Sequence, residues 1–229
     1  MYRLFFKRFL DFILSLLAII VLSPVLLVVA ILVRIKLGRP VLFTQKRPGK
    51  NEKIFKLYKF RTMTNERDAD GNLLPDEIRL TKFGKFLRST SLDELPELIN
   101  IIKGDMSIVG PRPQLIRDMV FMTPEQRRRH SVRQGLTGLA QISGRNNISW
   151  EEKINYDLLY IEKITFINDC KIILNTILKV FKRENISTGG METAEDLGDY
   201  LLRTNKINQK IYTYKQIEAK KILMGRYKK

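Results

Sequence analysis

The chain has 229 residues, enough for one domain with a substantial core and appendages. Its 41 Lys and Arg against 24 Asp and Glu leave a net charge of +17, which favours polyanionic partners: nucleic acid, an anionic membrane surface or phosphorylated substrates. Cys170, the only cysteine, rules out an internal disulfide and fits a reducing compartment; His130, the only histidine, rules out a zinc site of several His and Cys ligands but not a Ser-His-Asp triad.

From Phe12 to Val33, "FILSLLAIIVLSPVLLVVAILV", 22 residues carry no charge. As one helix they would run about 33 Å, roughly the hydrocarbon thickness of a bilayer. Nucleic-acid-binding domains have no need of such a segment, so the polyanions expected are lipid and phosphorylated substrates. The run is long for a signal peptide, and no small-x-small cleavage site precedes Arg34-Ile35-Lys36. A spanning anchor is the serious rival. Against it, Arg3, Lys7 and Arg8 flank one end and Arg34, Lys36 and Arg39 the other, so the charges give no orientation for a crossing. Ser23-Pro24 sits mid-run, where proline removes a helical hydrogen bond and the serine hydroxyl can satisfy a freed carbonyl. The expectation is a re-entrant helix-break-helix hairpin over residues 1–38.

Beyond it, "VLFTQKRPGKNEKIFKLYKFRTM" reads as a short β-hairpin, with Val41-Leu42-Phe43 and Ile54 to Phe60 as strands and Arg47 to Asn51 as the turn. Residues 65–78 read as a solvated loop. In "LTKFGKFLRSTS", Leu80, Phe83 and Leu87 give the i, i+3, i+7 spacing of a short amphipathic helix. Residues 114–132 are expected to be a helix with a basic end, "EQRRRHSVR", followed by a loop, "QGLTGLAQISGRNNISW". Two helices follow, and the second carries an apolar face of Ile172, Ile173, Thr176, Ile177 and Val180. That face suits core packing or a helix lying in the membrane interface, and its basic flanks favour the interface. From Lys206 onward the charge is +7, the mark of a basic membrane-surface helix or a disordered tail.

The chemistry concentrates in "RSTSLDELPELINIIKGDMSIVGPRP", Arg88 to Pro113. Ser91-x-x-Glu94 matches a capping box, but Pro96 would then fall inside the helix, where its missing N–H matters. With Asp93 as N-cap, Pro96 lands at N3, and the helix runs through Ile102 to a stop near Lys103-Gly104. A carboxylate at a helix mouth near Lys and Arg is expected to be ionised, and an ionised Asp can attack phosphorus to form an acyl phosphate. On a helix Glu94 points about 100° away from Asp93. One acid is therefore suited to attack and the other to hold Mg²⁺ against phosphate oxygens. Lys59, Arg61, Arg88, Arg112 and Arg145 lie in segments broken by Gly, Pro, Ser or Thr, where arginine forks match phosphate oxygens. The glycines of "GDMSIVGPRP" and "GLTGLAQISGRN" would let backbone N–H groups approach an anion.

These stretches, with "KIFKLYKFRTM", resemble the bacterial sugar transferase family, the monotopic polyprenyl-phosphate phosphoglycosyl transferases, from about Lys7 to Ile186. In length, and in "ISWEEK" followed by "DCKIILNT", the chain is most similar to the small members that initiate bacterial protein N-glycosylation, which lack the extra N-terminal spanning helices. The resemblance implies transfer of a sugar 1-phosphate, here of an N-acetylated amino sugar, from a UDP-sugar to undecaprenyl phosphate with release of UMP. That is the first membrane step of glycoprotein, capsule, exopolysaccharide or O-antigen assembly, feeding downstream glycosyltransferases. It also implies a ping-pong route in which Asp93 attacks the sugar-bearing phosphate. Glu94, with Asp93 beside it, would hold Mg²⁺ (or Mn²⁺). Lys59, Arg88, Arg112 and Arg145 would bind or brace phosphate, and Asp157 and Asp169 would orient the basic residues. Ser23-Pro24 matches the family's helix break, which keeps the protein monotopic on the cytoplasmic face of the inner membrane, against anionic lipid.

The fold expected is thus mostly α with a short β-hairpin (α+β): the hairpin of residues 1–38, a cytoplasmic catalytic domain over 39–186 with interfacial amphipathic helices, and a variable basic extension over 187–229. Two departures stand out. Gln134 occupies a position where the family usually has proline, and the likeness fades beyond Ile186, where the extension is expected to serve substrate choice or partner docking. A UDP-hexose donor is one alternative. A non-catalytic basic membrane-surface protein is another, but it leaves the acid pair unexplained.

Overall fold

The computed structural model describes residues 1–144, 148–182 and 195–225. A π-helical turn, Tyr2–Phe6, leads into α1 (Lys7–Lys36). The antiparallel hairpin follows as β1 (Leu42–Pro48) and β2 (Ile54–Phe60), with Leu42 opposite Phe60 and Pro48 opposite Ile54. Its tip is a 3₁₀ turn, Lys50–Glu52, in which Asn51 and Glu52 adopt positive φ. A short α2 (Asp76–Arg79) closes the polar loop. In α3 (Lys82–Ser89) the Thr81 hydroxyl accepts the Gly84 N–H, and Leu87 is fully buried. Gly84 is required there, because a Cβ would lie 1.9 Å from the Thr62 carbonyl oxygen.

Next come α4 (Glu97–Lys103), ended by Gly104 in the left-handed region as expected, β3 (Met106–Val109), α5 (Ile116–Met119) and α6 (Pro124–Arg127). The single helix expected over 114–132 is therefore corrected. Thr123 caps a new start with Pro124 at its first position, and a 3₁₀ turn, Arg128–Ser131, completes the stretch. The loop expected after it is corrected as well: β4 (Gln134–Thr137) pairs in parallel with β3, and α7 (Leu139–Ser143) follows. Strands of four residues leave too little alternation for sequence to reveal. Gln134 is wholly buried in β4, where its side-chain N–H groups reach the Arg129 and Val132 carbonyls.

The chain ends in α8 (Trp150–Glu162), α9 (Phe166–Lys182), α10 (Leu197–Arg203) and α11 (Gln209–Leu223). In α9, Ile172 is buried against Val109, Tyr160 and Ile161, while Leu174, Ile177 and Leu178 are exposed. The face read from sequence is thus divided between core and surface. α11 is no disordered tail: Ala219 and Ile222 pack on the Ile116, Met119 and Val120 cluster, and Tyr212 stacks on Phe121. The boundary expected at 186/187 lies outside the described residues.

α1 corrects the expected break. It is one hydrogen-bonded helix with Pro24 inside it, and the Ser23 hydroxyl donates to the Ile20 carbonyl at 2.8 Å, the very carbonyl that the absent Pro24 N–H would have served. Along its length one face rests on the domain. Arg8 donates to the Ile101 and Ile102 carbonyls, and Asp11 accepts from Ser107 Oγ at 2.7 Å and the Ile108 N–H at 3.0 Å. Ala18, Ile19 and Leu22 then pack on the Phe55, Leu98 and Met106 cluster; Val29, Val33 and Leu37 join Phe60 and Leu87. The opposite face, including Leu17, Ile20, Val21, Leu27 and Ile35, is exposed. Only 11% of its most apolar stretch is buried, so this is a surface-lying helix and not a core one, long and apolar enough to cross a bilayer.

Candidate active site

Asp93 and Glu94 sit in a 3₁₀ turn, Leu92–Glu94, entered through Ser91 at φ +56°. That left-handed conformation costs a non-glycine residue roughly 1–2 kcal/mol. The turn runs straight into α4, whose N-cap is Pro96 and not Asp93. The acids therefore sit one turn ahead of the α-helix, and the register expected for them is corrected. The 3₁₀ turn places Pro96 where no N–H is needed.

Glu94 Oε1 receives two cations, Arg112 at 2.6 Å and Lys59 Nζ at 2.7 Å. Burial would raise its pKa, but those charges hold it well below the usual carboxylate range. Asp93 is buried and behaves oppositely. Burial and the Glu94 charge push it up to about 6, against the pull of Lys59, Arg88 and Arg112. Two adjacent acids are thereby driven apart: one permanently anionic, the other a stronger base than an ordinary aspartate.

The structure adds a third acid. Glu97, three residues past Glu94, is 3% exposed and its Oε1 lies 3.1 Å from Lys59 Nζ. Burial pushes it up to about 7. The D-E-x-x-E spacing was the available signal, since i and i+3 share a helical face. Lys59 stays charged: burial opposes this, and Glu94 and Glu97 outweigh burial.

Of the other expected residues, Arg88 reaches the cluster by charge, with its Nε on Thr62 Oγ1 at 3.1 Å. Arg61 braces the Arg39 carbonyl instead. Arg145 lies outside the described residues. Asp157 forms a buried ion pair with Arg129 at 2.6 Å, and Arg129 also donates to the Arg112 carbonyl at 2.6 Å. Arg129 was missed because "RRRH" reads as surface charge, and its partner lies 28 positions away. Asp169 belongs elsewhere: it accepts from Lys7, the Tyr2 hydroxyl and the Tyr160 hydroxyl, fastening the start of α1 to α9. Gly104, Gly110 and Gly135 do not offer their N–H groups to an anion, each donating to a backbone carbonyl. Gly110 donates to Thr137 and Gly135 to Pro111, and a Cβ on Gly135 would meet the Gly110 nitrogen at 2.1 Å, so close backbone packing is their use. His130 carries no triad: burial and Arg129 push it down to about 3, and its Nε2 has no partner among the described residues.

A cavity of about 180 Å³ opens beside the acids. Lys59, Glu97 and Arg112 line it, along with Arg47, Trp150 and Asp196. Asp93 and Glu94 flank it through Lys59 and Arg112 without lining it. Arg112 is 42% exposed, so its guanidinium holds Glu94 and still faces an incoming anion.

The bacterial sugar transferase family model matches residues 2–183. The chain is 49% identical over 189 residues to the uncharacterized sugar transferase EpsL of Bacillus subtilis, covering 82% of this chain and 94% of that protein. It is 44% identical over 186 residues to a UDP-glucose:undecaprenyl-phosphate glucose-1-phosphate transferase of Klebsiella pneumoniae, covering 77% of this chain and 40% of that one. Against a UDP-N-acetylgalactosamine-undecaprenyl-phosphate N-acetylgalactosaminephosphotransferase of Aeromonas hydrophila the identity is 34% over 181 residues, 76% of this chain and 43% of that one. The chain thus spans about two fifths of the last two proteins. A match running from the turn that opens the long apolar helix through the acid pair to the end of α9 makes this chain a member of the bacterial sugar transferase family.

Proposed function

We propose that the protein transfers a sugar 1-phosphate from a UDP-sugar to undecaprenyl phosphate, releasing UMP, through a phospho-sugar intermediate on Asp93. The observation that carries this reading is the charge division between neighbours: a buried, basic Asp93 beside a Glu94 locked as an anion by Lys59 and Arg112. The names of three relatives, undecaprenyl-phosphate transferases of glucose 1-phosphate, galactose phosphate and N-acetylgalactosamine phosphate, support it.

In the first step an ionised Asp93 oxygen attacks the sugar-bearing phosphorus. An Asp–O–P bond forms, the bridging P–O bond breaks, and UMP leaves with that bond's electron pair. An oxygen of the lipid phosphate then attacks the same phosphorus and frees the Asp93 carboxylate. Arg112 and Lys59 face the charge that builds on the phosphoryl oxygens. Mg²⁺ is commonly held by one or two carboxylates together with substrate phosphates and water, and Glu94 with Asp93 beside it suits that pattern. Among the described residues no group of three His, Cys, Asp or Glu would hold an ion alone. When bound, the ion would neutralise phosphoryl oxygens.

The membrane reading rests on α1. Both its ends dock on the same domain, Lys7 and Arg8 at one end and Val33 and Leu37 at the other, so a bilayer cannot separate them. The exposed apolar face, together with Phe166, Ile167, Leu174 and Leu178, would enter one leaflet from the cytoplasmic face, in a monotopic arrangement. The donor favoured is an N-acetylated amino sugar. A hexose is the second reading, favoured by the glucose and galactose named in relatives.

The test is UMP release by detergent-purified protein given UDP-sugar, Mg²⁺ and undecaprenyl phosphate, with mass spectrometry of enzyme exposed to donor alone. An adduct on Asp93, and a loss of at least about a thousandfold in Asp93→Asn, are expected. Full turnover in that variant would end the proposal.

A further inference from the structure

The cavity beside the carboxylates has walls of two origins. Lys59, Arg112 and Trp150 belong to the stretch shared with the family, whereas Glu195 and Asp196 lie beyond it, in the extension. That second wall is fastened in place. The Leu197 N–H donates to Asp118 Oδ1 at 3.0 Å, and the Trp150 indole N–H donates to the Glu195 carbonyl at 3.1 Å. Arg117 Nε holds Asp196 Oδ2 at 2.7 Å, and Leu197 is buried with Met122, Trp150 and Ile154. The extension therefore closes the cavity with a fixed surface.

Size and polarity say what fits. About 180 Å³ is below the roughly 300–1,000 Å³ of pockets that enclose drug-sized ligands, so the cavity takes one ring of a nucleotide sugar and not the whole molecule. The cations Lys59 and Arg112 stand at the end next to Glu94, where a phosphate belongs. The other wall carries two carboxylates, of which Glu195 gives both oxygens to Arg203 at 2.8 Å, whereas Asp196 gives only Oδ2 to Arg117 and keeps Oδ1 as an acceptor. Asp196 is pushed up to about 6 by burial and by neighbouring Asp118, so near neutral pH it is an anion whose Oδ1 can accept while Oδ2 stays on Arg117.

We propose that Asp196 Oδ1, in the wall that Glu195 and Asp196 form, selects the donor's sugar ring, accepting a hydrogen bond from a hydroxyl or amide N–H group while the donor's phosphate lies against Lys59 and Arg112. This rests on the transferase reading above. The test compares kcat/KM for UDP-glucose, UDP-galactose, UDP-N-acetylglucosamine and UDP-N-acetylgalactosamine between the unmodified chain and Asp196→Asn, which keeps the shape and swaps an acceptor for a donor. The expected result is a fall of about tenfold in discrimination between the best and second donors, with inhibition by UMP unchanged. A uniform loss over all donors with weakened UMP inhibition would put the ribose in the cavity and overturn the proposal. Unchanged ranking would reduce the wall to scaffolding and overturn it too. Thermal unfolding checks that the variant is folded. Trp150→Phe, which releases the Glu195 carbonyl and shortens a buried ring that itself lines the cavity, is expected to blunt the ranking as well and serves if Asp196→Asn does not fold. If the unmodified chain turns over no donor, it is the transferase reading that fails, and this inference with it.

Discussion

Asp93, Glu94 and Glu97 share one patch of charge with Lys59 and Arg112, and the order of their protonation decides when Asp93 can attack. The attacking form is the anion. With Asp93 raised to about 6, kcat/KM should climb as pH rises through that value and flatten above it. Glu97, raised to about 7, titrates in the same patch, so the limb belongs to the group and spans two ionisations. Glu97→Gln is expected to leave one ionisation and move the limb to lower pH; identical pH profiles for the two proteins would refute the coupling. Asp93, Glu94, Lys59 and Arg112 were legible because one motif holds the acids and the basic residues sit in broken segments. Glu97 has no place in the sequence reading of the site. Nothing within a few residues of it says that Lys59, on β2, reaches both glutamates.

Among the elements, α1 illustrates how an apolar helix is held to a domain by a few polar contacts. Asp11 is 5% exposed and takes two donors from β3, Ser107 Oγ and the Ile108 N–H. Asp11→Ala leaves the Ile108 N–H without its acceptor, while the Ser107 hydroxyl keeps the Val109 carbonyl at 3.0 Å, a loss of about 1–3 kcal/mol, to be read as a lower unfolding midpoint in detergent. Ser23→Ala is expected to cost about 1 kcal/mol, because only the Ile20 carbonyl loses its partner. The apolar run and the Ser23-Pro24 pairing were readable from sequence, including the repair of a freed carbonyl. The continuity of the helix was not. Proline rules describe an isolated helix, whereas here Ala18, Ile19 and Leu22 before Pro24, and Val29 and Val33 after it, pack on the domain on both sides.

For the whole molecule, an excess charge of +17 and a long exposed apolar face lead to one expectation about membranes. Both attract the protein to anionic bilayers, but salt weakens only the first. Raising ionic strength from 0.1 to 1 M shortens the screening length from about 10 to about 3 Å. Vesicle binding should therefore persist at 1 M salt while its preference for anionic over neutral lipid shrinks. Complete release would show that the apolar face does not insert. Tags at residues 1 and 229 should both be open to protease from the cytoplasmic side, and protection of one alone would mean that α1 crosses.

Local chemistry settled whatever depends on a few consecutive residues: the uncharged run of α1, the existence of the hairpin (though β1 takes in Arg47 and Pro48, expected in its turn), the glycine stop at Gly104 and the acid pair ahead of Pro96. Contacts between distant segments settled the rest. The parallel pairing of β3 with β4, the Arg129–Asp157 pair behind Arg112, the sharing of Lys59 by two glutamates and the docking of Leu197 on Asp118 all join residues 28 or more positions apart. Such contacts form only when burial offsets the entropy of closing the intervening chain and the cost of desolvating the charges. That balance depends on which surfaces meet in the folded molecule, so no short stretch of the sequence encodes it.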